Sequence, residues 1–176
     1  MNLKKLYVQT TSLILTLIAS TQALGLESDA EAEMTIQADH AEFDRMTGIA
    51  IYTGRVVLEQ GTLLIKADQI TLYSDSEQKL KKSVAVGKPA HYQQLMDGDE
   101  GPTKALGHSI TYLADEKIIT LLKDAFLEQE GNSFSGSEII YDINNENIKA
   151  KGVNESQPDA RVKMIIQPAK TAEVVK

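Results

Sequence analysis

The sequence has no cysteine and no tryptophan, four prolines, and only nine aromatic residues, six Tyr and three Phe, in 176 positions. Without cysteine there can be no disulfide framework, no thiolate catalysis and no cysteine-based metal site. With aromatics at 5%, any core must be built mainly from aliphatic side chains. Cations are also scarce: 18 Lys and Arg face 25 Asp and Glu, a formal net charge of -7. That balance argues against nucleic acid as a partner, because phosphate neutralisation needs a basic surface. What is present is globular in kind, with 42% hydrophobic and 24% charged residues. The length suits one domain, since domains run to ~100–200 residues.

Lys4 and Lys5 precede the apolar run Leu13–Ala19, and the small residues Thr21 and Ala23 frame a Thr-Gln-Ala cleavage pattern. That order is a secretory signal. The run is shorter than the ~20 residues of a comfortable bilayer span, so a permanent anchor is disfavoured. Cleavage is expected after Ala23, with a cut after Gly25 as the competitor. Removing residues 1–23 leaves 16 basic and 25 acidic residues, a net of -9 over 153 residues. With no further segment of membrane length, the expectation is a soluble periplasmic or secreted protein. The organisation expected is a signal peptide (1–23), an acidic leader (24–33), a folded domain (34–168) and a C-terminal tail (169–176).

The mature chain alternates rather than coils. In Ala50–Gln60 the even positions carry Ala, Tyr, Gly, Val, Leu and Gln, and period two means strand. Similar alternation occurs at Leu63/Ile65/Ala67, Val84/Val86, Ile119/Leu121 and Ile148/Ala150. Asp44–Gly48, Asp97–Pro102 and Asn144–Asn147 read as turns. No convincing helix of ten residues or more is found, and Ser74–Ser83 reads as a long polar hairpin loop. A shift of 69 positions superposes Leu58-Glu59-Gln60 on Leu127-Glu128-Gln129 and Ile70 on Ile139, in constant pleat phase. Inside each half a 29-residue spacing relates Ala38–Phe43 to Ala67–Leu72, and Gly107–Tyr112 to Gly136–Tyr141. A small residue, two polar ones and an apolar pair fit a strand that changes phase at a bulge or corner. The expectation is a rolled or two-layered antiparallel sheet with one apolar face, lined by Tyr52, Val56, Leu58, Leu63, Ile65, Ile119, Leu121 and Leu127. Whether that face is a packed core or an open trough is left open by composition.

Candidate chemistry is thin. His40, His91 and His108 stand far apart, outside any metal-ligand spacing. His108 and Ser109, as strand neighbours, point to opposite faces and make a poor nucleophile and base pair. Asp97, Asp99 and Glu100 read as a charged turn rather than a calcium loop. Asn154-Glu155-Ser156 is a sequon that matters only in a eukaryotic secretory pathway. In Gly87–Gln94, Pro89 lacks a ladder donor and reads as a strand start or sheet corner, with Tyr92 in phase with Ala90 and Gln94. Arg161–Pro168 is apolar and stopped by Pro168. As a terminal strand its edge, with Val162, Met164, Ile165 and Ile166, invites another chain.

In order, Ile36-Gln37-Ala38-Asp39, Tyr52-Thr53-Gly54-x-Val56, Gln60-Gly61-Thr62, Ala67-Asp68, Gly87–Ala90 and Tyr141-Asp142 resemble the OstA-like family of periplasmic lipopolysaccharide transport proteins, the LptA family. The resemblance covers about residues 34–168. Met164–Pro168 and Gln129–Asn132 look closest to its pseudomonad-like branch. The resemblance implies an all-β fold, a twisted antiparallel β-jellyroll with an open V-shaped apolar groove that holds the acyl chains of lipopolysaccharide. It further implies end-to-end stacking between an inner-membrane LptC-like protein and an outer-membrane LptD-like translocon, with no catalysis and no cofactor. On the family pattern Met34, Ile36, Tyr52, Val56, Leu58, Leu63, Ile65 and Tyr92 face the groove. The internal repeat extends the set to Ile110, Tyr112, Leu121, Leu127 and Tyr141. Arg55, Lys66, Lys88 and Lys104 read as solvated charges rather than phosphate contacts. The competing readings are a closed-core assembly module and a lipid or polysaccharide hydrolase, the latter disfavoured because no acid pair or triad has usable spacing.

Overall fold

A computed structural model describes residues 27–96, 101–152 and 161–168. Part of the leader forms a short helix, α1 (Glu27–Glu31). Ten strands follow: β1 (Met34–Gln37), β2 (His40–Asp44), β3 (Ile49–Gln60), β4 (Leu63–Ser74), β5 (Leu80–Gln94), β6 (Thr103–Leu113), β7 (Ile118–Gln129), β8 (Asn132–Asp142), β9 (Asn147–Lys151) and β10 (Lys163–Ile165). The signal peptide, the Asp97–Glu100 turn, the Asn154 sequon and the tail lie outside the described residues.

All pairings are antiparallel, in one sheet ordered β1-β3-β4-β5-β6-β7-β8-β10. β1 and β2 share one flank of β3, and β9 and β10 share the far flank of β8. Among the described residues these two outer pairs do not meet, so the sheet is open rather than closed into a barrel.

The repeat of 69 is structural. Shifting β3 by that number gives the bounds of β7, and the start of β4 falls on the start of β8. β1 and β2 together fall on β6. Register irregularities interrupt the ladders at Thr53/Val56, Lys66/Gln69, Val86/Ala90, Leu106/Ser109 and Leu122/Ala125. A bulge bends its strand and sharpens its twist, so these sites draw one line of bends across the sheet. Two of them, at Lys66/Gln69 and Leu106/Ser109, fall in the small-polar-polar-apolar segments of the sequence. In β4 the bend reverses the pleat, with Ile65 buried before it and Ile70 after. In β3 and β7 two residues bulge together, all at positive φ (Gly54, Arg55; Lys123, Asp124), and the phase is kept.

Two sequence expectations need correction. Of the two readings of Pro89 the sheet corner holds and the strand start does not: it sits inside β5, at the irregularity where its missing N–H leaves no ladder bond unmade. The alternation read at Val84 and Val86 is present and lies on the outer face, Val86 being 43% exposed while Ala85 is buried, because the bend at Gly87–Pro89 reverses the phase. The Ser74–Ser83 loop is shorter than expected. Strands run to Ser74 and from Leu80, and the Asp75 carboxylate accepts the Glu77 and Lys79 backbone N–H groups, each at 2.9 Å.

Candidate functional site

Ladder registers stack inward-facing side chains into rows that cross the whole sheet. On one side of the bends the row is Ile36, Leu58, Ile65, Tyr92, Ala105, Leu127 and Phe134. On the other side Tyr52, Ile70, Ala85, Ile110, Leu121 and Ile139 form its counterpart. Both rows belong to one hydrophobic cluster, so the bent sheet is apolar on its concave side. Burial of these aliphatics, at ~25 cal/mol per Å² of apolar surface, is the main stabilising term.

Within the concave side runs a cavity of about 220 Å³. Its lining extends from Gln60, Leu63 and Gln94 at one end to Leu72, Tyr112 and Ile119 at the other. Leu63 and Leu72 are nine residues apart on β4, at most ~30 Å at ~3.3 Å per residue, so this is a channel along the strands rather than a local pit. Of the residues expected to face a groove, Met34, Leu58, Leu63, Ile65, Tyr92, Ile110 and Tyr112 line it. Val56, Leu121, Leu127 and Tyr141 are packed in the core, each at most 3% exposed. Ile36 and Tyr52 are half-buried against that core.

The two ends differ. At the end marked by the β3–β4 turn the wall is polar. The Tyr92 hydroxyl donates to Gln94 Oε1 (2.7 Å), and Gln94 Nε2 donates to Asp29 Oδ2 (3.0 Å). Asp29 Oδ1 accepts the Thr62 backbone N–H (2.8 Å), and Oδ2 accepts the Thr62 hydroxyl (2.5 Å). Burial pushes the Asp29 carboxyl up, but the hydrogen bonds from Thr62 and Gln94 outweigh it and leave its pKa below the ordinary value. Burial also drives Tyr92 well above the usual phenol range, assisted by Tyr112, Tyr141 and Asp29 nearby. Tyr112 is raised by burial alone. These phenols stay neutral and act as apolar bodies with one polar handle.

The opposite face carries the charges. Arg55 is 88% exposed and paired with Asp39. Lys104 pairs with Glu128 at 3.3 Å, and Lys66 lies opposite His91 on the same outer face. His108 reaches Asp124 at 3.5 Å on the exposed bend of β6 and β7. Among the described residues no cluster of His, Asp and Glu could hold a metal ion. β10 pairs with β8 through Lys163–Ile165, leaving Val162, Met164, Ile165 and Ile166 between 41% and 70% exposed at a free edge.

Residues 35–147 match the family described as LptA/(LptD N-terminal domain) LPS transport protein. This chain belongs to that family. It is 38% identical to the lipopolysaccharide export system protein LptH of Pseudomonas aeruginosa over 173 residues, 95% of this chain and 99% of the relative. It is 28% identical to LptA of Haemophilus influenzae, over 80% of this chain and 82% of the relative. The Escherichia coli (strain K12) LptA is 25% identical over 76% and 72%. The crystal structure of LptH, described as the LptA-homologous periplasmic component of the Pseudomonas aeruginosa lipopolysaccharide transport device, superposes with a TM-score of 0.70, covering 80% of this chain and 99% of that one. These relatives are transport components, not enzymes.

Within this LptA-family groove, sequence reading missed Leu72, Leu80, Ala85, Met96 and Ile143. Leu72 and Ala85 lie beyond phase-reversing bends, where simple alternation puts them on the wrong face. Leu80, Met96 and Ile143 sit at strand ends or in turns, where alternation carries no signal. The polar end was also missed, because Asp29 reads as one more acid of the leader.

Proposed function

We propose that this protein is a periplasmic lipopolysaccharide-binding bridge, exported by its signal peptide, that passes acyl chains along the groove of jellyrolls stacked end to end. The observation that carries this reading is the channel that crosses the bend line inside an open sheet, apolar from Leu63 to Ile119. Burying acyl chain is favourable by ~0.8 kcal/mol per CH2, enough to hold lipid away from a membrane. A cavity of about 220 Å³ is smaller than the ~300–1,000 Å³ of ordinary ligand pockets, so several chains require the walls to part. An open sheet with two free edges allows that, and a closed core does not. This favours the conduit over the closed assembly module.

The free edges supply the joints. β1 and β2 present one unpaired side and β9 and β10 the other, and antiparallel strand addition between copies extends the ladder without new side-chain chemistry. An LptC-like inner-membrane protein and an LptD-like translocon would cap such a stack at its two ends. The excess of acid limits adhesion to the anionic headgroups carried.

Photo-crosslinking in cells tests the conduit. Probes at Leu58 or Ile65, on the channel wall, are expected to capture lipopolysaccharide, and one at Arg55, on the outer face, is not. Equal capture at all three, or none, refutes it. For assembly, light scattering should show concentration-dependent oligomers that disappear when residues 161–168 are deleted. Unchanged association would show that β10 is not the joint.

A further inference from the structure

We propose that α1 is a gate across one end of the groove, held shut by the Asp29 carboxylate, and that the groove loads or hands on lipid at that end only when the latch releases. This rests on the groove being an acyl path. Three observations converge on it. Asp29 is the one charged side chain in the channel wall among the described residues, and it is 5% exposed. Its carboxylate gathers the Thr62 N–H, the Thr62 hydroxyl and the Gln94 amide, tying α1 to both the β3–β4 turn and the end of β5. Thr62 Oγ1 in turn accepts the Leu95 N–H at 3.1 Å, so the latch also fixes the chain leaving β5.

Among the described residues, this segment has one further hydrogen bond to the sheet. The helix α1 has five residues, and isolated helices below ~12–15 residues are marginal in water. Besides Asp29, Gln60 Nε2 donating to the Ala32 carbonyl (3.2 Å) ties this segment to the sheet. A short element fastened chiefly by one polar cluster opens more easily than the sheet it covers, which is the property of a lid. The turn is shaped to receive it. A Cβ on Gly61 would lie 2.1 Å from Asp29 Oδ1 and 3.0 Å from the Asp29 Cα. The helix is also followed directly by β1, whose outer side is a free sheet edge, so a neighbour that adds a strand there acts on the segment that carries the latch.

The absence of native cysteine allows a clean test. Asp29→Cys with Thr62→Cys places two thiols where the latch atoms touch. The oxidised form is locked shut, and the reduced form has lost the latch. Purified oxidised and reduced protein, wild type and Asp29→Ala, each with a photo-crosslinker at Ile65, are mixed with lipopolysaccharide, and capture is followed in time. Thiol titration reports the bridge, and thermal melting reports folding. Loss of the hydrogen bonds to a buried charge should shift the balance from closed to open by about tenfold, so Asp29→Ala and the reduced double variant capture faster than wild type. The oxidised form captures much more slowly, and reduction restores it. Equal rates in oxidised and reduced protein, or thiols that fail to bridge together with an unchanged Asp29→Ala, overturn the gate while wild-type capture leaves the conduit standing. No capture in any form removes the conduit and the gate together.

Discussion

The β3–β4 and β7–β8 turns are equivalents under the repeat, lie at the same end of the sheet, and are each fastened by a terminal segment of the described chain. At the first, Asp29 from the N-terminal side enters the channel wall and is buried. At the second, the Gln167 N–H donates to Asn132 Oδ1 (2.9 Å) and its side-chain amide donates to the Gly131 carbonyl (3.2 Å), with Gln167 exposed. The same hairpin therefore receives a buried anion in one half and an exposed amide in the other. The two turns are similar sites, and only the one beside the channel receives a charged group from the terminal segment.

The largest expected losses lie deeper, at equivalent leucines of the two halves. Leu127 is packed in the core, whereas Leu58 borders the void and has fewer packing contacts to lose. Urea denaturation should show Leu127→Ala destabilised by about 3 kcal/mol and Leu58→Ala by about 2 kcal/mol. Equal losses would mean that the channel is filled in solution. At the turns, Gly61 has φ +57 and Gly131 φ +79. Gly61→Ala meets both a left-handed conformation and Asp29, and should cost about 2 kcal/mol. Gly131→Ala meets the Cγ of the exposed Gln167 side chain, 3.0 Å away, and should cost about 1 kcal/mol.

Acid sharpens the contrast. The folded-state pKa of Asp29 is depressed, so its contribution to stability is present above the unfolded value of about 3.9 and is lost as pH falls through the lower folded value. Wild type should be more stable than Asp29→Asn at neutral pH, and chemical denaturation should show the gap closing below about pH 4. A gap that persists into strong acid would locate the effect elsewhere than the carboxylate. Smallest of all, Arg55→Ala removes a solvent-exposed ion pair on the outer face, and no resolvable change in the urea midpoint is expected.

Most of the fold was legible because period-two alternation and the 69-residue repeat both report backbone constraints. Leu58 and Leu127 fell on the inner face as read, since the double bulges of β3 and β7 preserve phase. Legibility failed where bends reverse the phase, as at Leu72 and Ala85, and in choosing between the two readings of Pro89, whose mid-strand place depends on partners on both sides. Asp29 was invisible for another reason. Its burial comes from Thr62 and Gln94, 33 and 65 residues away, and local pattern holds no trace of contacts at that distance.

The line of bends distributes stiffness. Along it the inward positions are Val56, Ala67, Ala90, Gly107, Ala125 and Gly136, and a Cβ on Gly136 would lie 2.4 Å from the Lys151 carbonyl oxygen. Backbone against backbone leaves little slack there, while the margins are strands of three to five residues. Such a sheet behaves like a book with a rigid spine and pliant covers. A cargo would widen it by peeling the margins, and the aperture should track cargo size at nearly constant curvature along the crease.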